Sequence, residues 1–101
     1  MKFKHKMEFN TTEELNLAFE LGNKELSDLI VDETLKNLKN KKKKFPIVSI
    51  TTLDDDLIYE VMVERPDIVL TLTQNLEVME EYEDYERCSK IVEGIKFLEN
   101  K

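Results

Sequence analysis

Hydrophobic and polar positions alternate along the first nine residues of the chain. One side of the alternation comprises Phe3, His5, Met7 and Phe9, and the other comprises Lys2, Lys4, Lys6 and Glu8. In a β-strand, a period of two sends one set towards the core and the other towards solvent. We therefore predict an edge strand over residues 3–9, whose outward lysines discourage pairing with other chains.

Two amphipathic helices are predicted to follow this strand. Thr11 and Glu14 have the spacing of a capping box, so the first helix begins beside Thr11 and ends at Gly22. Asn23 caps the second helix, which runs from about Lys24 into a run of lysines. Acidic residues come early in this second helix and lysines late, an order that complements the helix dipole.

Three short runs rich in Ile, Val, Thr and Tyr predict an antiparallel meander. They span residues 45–53, 57–64 and 67–73, and are separated by three aspartates and by Arg65-Pro66. In the middle run, apolar residues at 57, 59, 61 and 63 share one face, whereas Glu60 and Glu64 lie on the other. We expect helices to cover only the apolar face, which leaves the opposite face open to a partner.

Residues 74–101 carry a helical pattern that fits either one long helix or a tight helical hairpin. The stretch NLEVMEEYEDYERCSKIVEGIKFLE, residues 75–99, resembles the UVR helical hairpin, a partner-binding motif of excision-repair proteins and some bacterial stress adaptors. The acidic turn EDYERC and the trailing Ile91 and Ile95 carry the resemblance. It implies a protein–protein contact. An ordinary amphipathic helix is the alternative interpretation.

These elements predict a single α+β domain over residues 1–101, in the order β-α-α-β-β-β-α. A chain of 101 residues suits one hydrophobic core. The lone Cys88 cannot form an internal disulfide, which favours a reducing compartment. No apolar run has the length of a membrane span, and the N-terminus does not resemble a signal peptide. We therefore expect a cytoplasmic protein that does not bind membranes, and the Lys-, Asn-, Glu- and Ile-rich composition is typical of an AT-rich bacterial or phage genome.

The sequence contains no pattern that indicates an enzyme, a cofactor or a metal. His5 is the only histidine, so a structural role is favoured over metal binding or general-base catalysis. The triplet Asp54, Asp55 and Asp56 lacks the ligand spacing of a calcium loop and is typical of a solvated turn. Cys88 lies among acidic residues, which favours a packing role over a reactive thiolate. No nucleophile, base and oxyanion donor can be assembled from these residues.

Charge is distributed unevenly along the chain. Residues 1–50 carry ten lysines against eight acids, whereas residues 51–101 carry five basic residues against fourteen acids, and the net charge is -7. Such asymmetry steers association with a basic protein surface. The candidate contact residues are Glu77, Glu80, Glu81, Glu83, Asp84 and Glu86, with Asp54, Asp55 and Asp56 as further members.

Size and charge resemble those of acidic anti-CRISPR proteins, nuclease immunity proteins and other DNA mimics. This likeness is one of analogy, and it implies a small inhibitor that docks its acidic half on a basic, nucleic-acid-handling protein, in a host cytoplasm if the chain is phage-encoded. Solubility alone is the alternative explanation of the acidic residues.

Two other functions remain open. The first is a structural adaptor that docks through apolar contacts, with Tyr82, Tyr85 and Phe97 as anchors, onto a partner or a second copy of the chain in a homodimer. The second is nucleic-acid binding through the six lysines between Lys36 and Lys44. Nucleic acid is the less favoured partner, because the cluster lacks arginine and interleaved aromatics and the whole chain repels phosphate.

Overall fold

The fold is α+β, as predicted. A computed structural model describes residues 3–100 and contains a three-stranded sheet with four helices. In chain order the elements are β1 (Lys6–Phe9), α1 (Thr12–Leu21), α2 (Lys24–Lys36), β2 (Lys44–Thr52), β3 (Leu57–Glu64), a 3-10 turn (Arg65–Asp67), α3 (Ile68–Glu81) and α4 (Tyr85–Glu99). The C-terminal segment therefore forms a helical hairpin of α3 and α4 rather than one long helix.

The sheet is mixed rather than purely antiparallel. Its order is β1-β2-β3, with β1 parallel to β2 and β3 antiparallel to β2. The N-terminal strand is shorter than predicted and pairs within its own chain, where Lys6 lies opposite Ser49. A register shift between Pro46 and Val48 marks a bulge in β2. The helical connection through α1 and α2 makes the parallel pairing possible, because parallel neighbours need a long crossover.

The predicted third strand of the meander, residues 67–73, is wrong, because these residues form the first half of α3. The segment is rich in β-branched residues, but Pro66 lies at the start of a helical turn, where its missing N–H costs nothing. Burial then recurs at Ile68, Leu72, Asn75 and Met79, which is helical spacing. Packing of this stripe against the core overrides the local strand preference.

The helix boundaries in the first half of the chain follow the predicted caps. Thr11 Oγ1 accepts a hydrogen bond of 3.0 Å from the Glu14 amide, and Asn23 Oδ1 accepts one of 2.9 Å from the Leu26 amide. Gly22 separates the two helices with φ of +88° and ψ of 140°, a conformation that glycine alone adopts without strain. These caps fix the tight α1–α2 corner.

Helices cover one face of the sheet, as the alternation in β3 predicts. α2 packs against β2, α3 packs against β3 and α2, and α4 packs on α2 and α3. The opposite face presents polar side chains such as Glu8 and Glu60. The buried apolar side chains form one core, and its fully buried members are Leu26, Val31, Phe45, Ile47, Val48, Ile50, Ile68, Leu72, Met79 and Ile91.

One buried polar group in this core is unsatisfied. Thr34 is fully buried in α2, and its hydroxyl has no hydrogen-bond partner among the described residues. Leaving a buried hydroxyl unpaired costs about 1–3 kcal/mol. Thr52 is also fully buried, but its hydroxyl donates to Asp55.

Replacing Thr34 with valine should therefore stabilise the fold. Because valine has nearly the same shape without the unpaired hydroxyl, we expect Thr34→Val to raise the free energy of unfolding by about 1 kcal/mol. Denaturant unfolding with an unchanged m-value measures this. The matched control is Thr52→Val, which removes a satisfied hydroxyl and should lower stability. A loss of stability in Thr34→Val would contradict the prediction.

Candidate functional site

Acidic residues from two helix pairs converge at one end of the helical layer. Here α1 and α3 end, and α2 and α4 begin. The α1–α2 corner lies close to α3, since a Cβ placed on Gly22 would be 2.9 Å from Val78 Cγ2. The start of α2 lies close to the start of α4, since Lys24 Nζ is 2.8 Å from Asp84 Oδ2. We call this end the acidic pole. Its exposed carboxylates belong to Glu20, Glu77, Glu80, Glu81, Glu83 and Glu86.

Several of these carboxylates lie where a helix dipole opposes them. Glu20 lies in the last turn of α1, and Glu80 and Glu81 lie in the last turn of α3. Neither turn contains a basic residue. Because the C-terminal end of a helix carries partial negative charge, acids there destabilise it. Local helix stability therefore does not explain these acids, whereas Glu86, in the first turn of α4, is placed favourably.

Asp84 belongs to a structural ion-pair network instead of an open acidic surface. Its Oδ2 accepts hydrogen bonds of 2.8 Å from both Lys24 Nζ and Arg87 Nη1, and its Oδ1 caps α4. Arg87 also donates to both oxygens of Asp32, at 3.0 and 2.8 Å. The hydrogen bonds from Lys24 and Arg87 hold the pKa of Asp84 well below its usual range. The network thus ties α2, at Lys24 and Asp32, to the start of α4.

That turn presents two aromatic side chains beside the acidic pole. Tyr82 and Tyr85 are 54% and 65% exposed, and Glu83 between them adopts a left-handed conformation with φ of +57°. A left-handed conformation is uncommon for residues other than glycine, and here it allows the chain to reverse between α3 and α4. Exposed tyrosines next to unpaired carboxylates provide both apolar area and hydrogen-bonding groups for a contact surface.

The aspartate triplet lies away from this pole. The Thr12 amide donates to Asp54 Oδ2 at 3.2 Å, and the Thr12 hydroxyl donates to Asp55 Oδ2 at 2.6 Å. The hydrogen bonds that Asp55 accepts from the hydroxyls of Thr12 and Thr52 lower its pKa. The hydrogen bonds to Thr12 hold the β2–β3 turn against the first residue of α1. Helix α1 is about 15 Å long. Asp54, Asp55 and Asp56 are therefore separated from the acidic pole by the length of that helix.

A cluster of lysines lies at the opposite end of α2 from the acidic pole. Because α2 has 13 residues, the two ends are about 20 Å apart. We call residues 37–43 the lysine loop, and Arg65 holds it in place. The Arg65 guanidinium donates to the carbonyl oxygens of Asn37 and Lys42, at 2.9 and 2.6 Å. The Arg65 backbone amide donates to the carbonyl oxygen of Lys43, at 2.7 Å. Lys39 Nζ lies 5.6 Å from the centre of the Phe97 ring. Phe97, one of the predicted anchors, is thus far from Tyr82 and Tyr85.

His5 and Cys88 both occupy structural environments. His5 Nε2 lies 3.0 Å from Glu33 Oε1. Burial opposes ionisation of Glu33, but hydrogen bonds from His5 and Lys36 outweigh it and lower the pKa of this carboxyl. Burial, with the nearby charges of Glu80 and Asp84, raises the pKa of the Cys88 thiol. Within residues 3–100, no group of three or more His, Cys, Asp or Glu residues is arranged to hold a metal ion.

A groove of about 540 Å³ runs between α1, α3 and β3 and opens beside the acidic pole. Its lining is mixed, and the apolar side chains that contribute to it include Ala18, Leu26, Ile30, Val61 and Val63. Glu20, Glu77 and Glu81 also line it, so its mouth is acidic. Phe19 and Leu21 line the same groove and are 52% and 72% exposed.

Sequence reasoning missed several residues that define this region. Glu20 was detectable, because it lies two residues before the predicted helix stop at Gly22. Lys24 and Arg87 were visible as charges, but their shared partner Asp84 is 60 residues from Lys24, and no local pattern reveals such a pairing. The role of Arg65 was hidden for the same reason, since its acceptors lie 23 to 28 residues away.

Comparisons with models of known families, with characterised proteins and with solved structures found no match to this chain. Across residues 3–100, none of the helices has both the length and the apolar character needed to cross a membrane.

Asp84 and Glu81 should respond oppositely to loss of charge. Asp84→Asn removes the acceptor shared by Lys24 and Arg87, so we expect a lower melting temperature. Glu81→Gln removes a carboxylate that opposes the α3 dipole, so we expect a free energy of unfolding that is unchanged or higher by a few tenths of a kcal/mol. Thermal unfolding followed by circular dichroism compares them. A larger loss in Glu81→Gln than in Asp84→Asn would refute these assignments.

The Asp84 network also predicts acid sensitivity. The folded-state pKa of Asp84 is depressed, so its contribution to stability is present above the ordinary Asp pKa of about 4 and is lost as pH falls through the folded value. We expect the melting temperature to fall between about pH 4 and pH 2, and to fall less steeply in Asp84→Asn. Parallel pH profiles of the two proteins test this, and identical slopes would contradict it.

Proposed function

We propose that this protein is a small inhibitor that docks its acidic pole on the basic surface of a nucleic-acid-handling protein and competes with nucleic acid for that surface. The observation that supports this function is the placement of Glu20, Glu80 and Glu81 against the dipoles of α1 and α3. These carboxylates make no ion pair with any described residue and weaken the helices that carry them. A binding role explains why they are there.

The charge distribution supports a directional encounter. Acidic and lysine-rich ends lie on opposite sides of α2, so the molecule approaches a basic surface with its acidic pole first. Long-range attraction of this kind raises the association rate and weakens with added salt. The net charge of -7 adds to the attraction.

The structure suggests different roles for the acidic residues. Glu77, Glu80, Glu81 and Glu83, with Glu20, provide unpaired negative charge for recognition. Asp84 instead fixes the α3–α4 turn through Lys24 and Arg87, which keeps the recognition residues in place before the partner arrives. A preordered surface loses less conformational entropy on binding.

A second candidate function is an adaptor that docks through apolar contact. The observation that favours it is α1, which exposes Leu17, Phe19 and Leu21 at 44%, 52% and 72%. Leu17 and Leu21 are four residues apart and share one face of this helix, and neighbouring exposed apolar side chains are typical of an interaction surface. The resemblance of residues 75–99 to the UVR hairpin points to the same class of function. Salt distinguishes the two candidates, because apolar docking does not weaken with ionic strength as charge pairing does.

Neutralising the acidic pole should abolish partner capture without unfolding the protein. The test variant replaces Glu77, Glu80, Glu81 and Glu83 with glutamine. Its matched control makes the same four-charge change outside the pole, at the exposed residues Glu8, Glu13, Glu93 and Glu99. All three proteins serve as baits in a nuclease-treated bacterial lysate, and captured proteins are identified by mass spectrometry.

We expect wild type and control to capture a basic, nucleic-acid-handling protein, and the test variant to capture at least about tenfold less, which corresponds to 1.4 kcal/mol. Duplex DNA added to the wild-type bait should displace that protein, and capture should fall as salt is raised from about 50 to 300 mM. Equal capture by test and control variants, or binding that resists both DNA and salt, would exclude the acidic pole as the docking surface.

A further inference from the structure

The outer edge of β3 carries backbone groups that no described element pairs. The amides of Ser49 and of Leu53, the residue after β2, donate to the carbonyl oxygens of His5 and Phe9, at 3.0 Å each. The residues of β2 that alternate with them therefore point their backbone groups towards β3. Those residues pair with Leu57, Tyr59 and Val61 of β3. Because neighbouring residues of a strand point their N–H and C=O groups to opposite edges, the groups of Ile58, Glu60 and Met62 point away from the sheet.

This edge lacks the usual protection against strand addition. The opposite edge strand, β1, has only four residues and includes the exposed Lys6. β3 has eight residues, with no lysine, no proline and Ile58 69% exposed. Its edge carries only two charges, Glu60 and Glu64, and neither forms an ion pair with a described residue. A long edge strand with exposed apolar side chains is a template for pairing with another strand.

The groove beside the acidic pole continues along this edge. Val61, Met62 and Val63 all line it, although Met62 lies on the opposite face of the sheet from its two neighbours. The groove therefore reaches the β3 backbone itself. Across from β3, α3 contributes Glu77 and Glu81 to the same groove. An occupant that pairs with β3 has carboxylates on both sides of it.

We propose that an extended basic segment of the partner adds to the edge of β3 as a fourth strand. Its backbone pairs with Ile58, Glu60 and Met62. One set of alternate side chains is apolar and enters the groove over Val61 and Val63. The other set is Lys or Arg and lies on the open face beside Glu60 and Glu64. The proposal rests on the proposed function, since the segment belongs to the same basic partner.

Charge favours such a segment over a second copy of this chain. Two copies of β3 could pair antiparallel with Glu60 at the centre, and each Glu60 would then lie opposite the Glu60 of the other copy. With Met62 at the centre, each Glu60 would lie opposite Glu64 of the other copy. Like charges directly opposite one another destabilise a strand pair. A Lys- or Arg-bearing strand instead places a cation beside each of these carboxylates, so the same charges that oppose self-association support the basic occupant.

A synthetic peptide with alternating residues, acetyl-Val-Lys-Val-Arg-Val-Lys-Val-amide, tests the proposal directly. It is titrated into the full ¹⁵N-labelled chain at low salt, and a block peptide of the same composition serves as control. We expect the largest amide shifts at Ile58, Glu60 and Met62, with hydrogen exchange of these amides slowed by about tenfold or more, since pairing buries them. Failure of the alternating peptide to bind up to about 1 mM, a free energy near -4 kcal/mol, would overturn the proposal.

Met62→Pro removes one outward N–H without touching the β2 ladder, because an edge strand tolerates proline at such a position. We expect it to weaken peptide binding by roughly tenfold, whereas Met62→Leu, which keeps the amide, changes binding less than about twofold. Equal binding by Met62→Pro and wild type would refute strand addition. The exchange experiment uses wild type only, so it decides the question even if the proline variant does not fold.

The two proposals fail separately. If the glutamine variant of the acidic pole loses lysate capture while Met62→Pro retains peptide binding, strand addition is wrong and the acidic pole remains the docking surface. If the acidic-pole variant retains capture while the amides of β3 become protected by peptide, the pole is wrong and the edge remains a binding site for an extended basic segment.

Discussion

The ion-pair network around Asp84 is the constraint on which the functional end of the molecule depends. A carboxylate at the N-terminus of α4 accepts from a lysine at the start of α2 and an arginine one turn into α4, and that arginine reaches back to Asp32. Two chain segments far apart in sequence, α2 and the start of α4, are thereby held together. Charge-assisted bonds with two donors on one acceptor restrict geometry more than a single surface pair does.

Once these ends are held together, the charge separation follows. α2 joins the two poles, and both helices that end at the acidic pole bring acids to their own unfavourable termini. The lysines, by contrast, follow the C-terminal end of α2, where the dipole favours them, so helix stability already explains part of that cluster. The two poles therefore carry unequal weight as evidence of function. An acid that weakens its own helix needs an explanation that a lysine at a helix C-terminus does not.

Local patterns predicted the elements whose signals are local. The caps at Thr11 and Asn23, the stop at Gly22 and the alternation in β3 all predicted what the structure contains. The prediction of a strand over residues 67–73 was wrong. Their β-branched composition favours a strand, but their buried positions recur at helical spacing, and tertiary packing selects the helix. For a related reason, the sequence did not distinguish structural acids from unpaired ones. Asp84 and Glu81 look alike in sequence, and only partners up to 60 residues away show that Asp84 is in an ion-pair network.

The acidic pole, the groove and the β3 edge form one continuous surface, and this continuity bears on what it binds. Glu77 and Glu81 line the groove, Met62 lines it from the sheet edge, and unpaired backbone lies just outside. In the proposed complex, the acidic pole speeds the encounter with a basic surface and turns the molecule towards it, but many basic proteins present such a surface. In the same proposed complex, backbone pairing at the edge of β3 sets the register, and the groove receives apolar side chains at alternate positions. On this proposal, the encounter rate depends on the pole and the register depends on the edge, so the two contributions of these adjacent residues are separable.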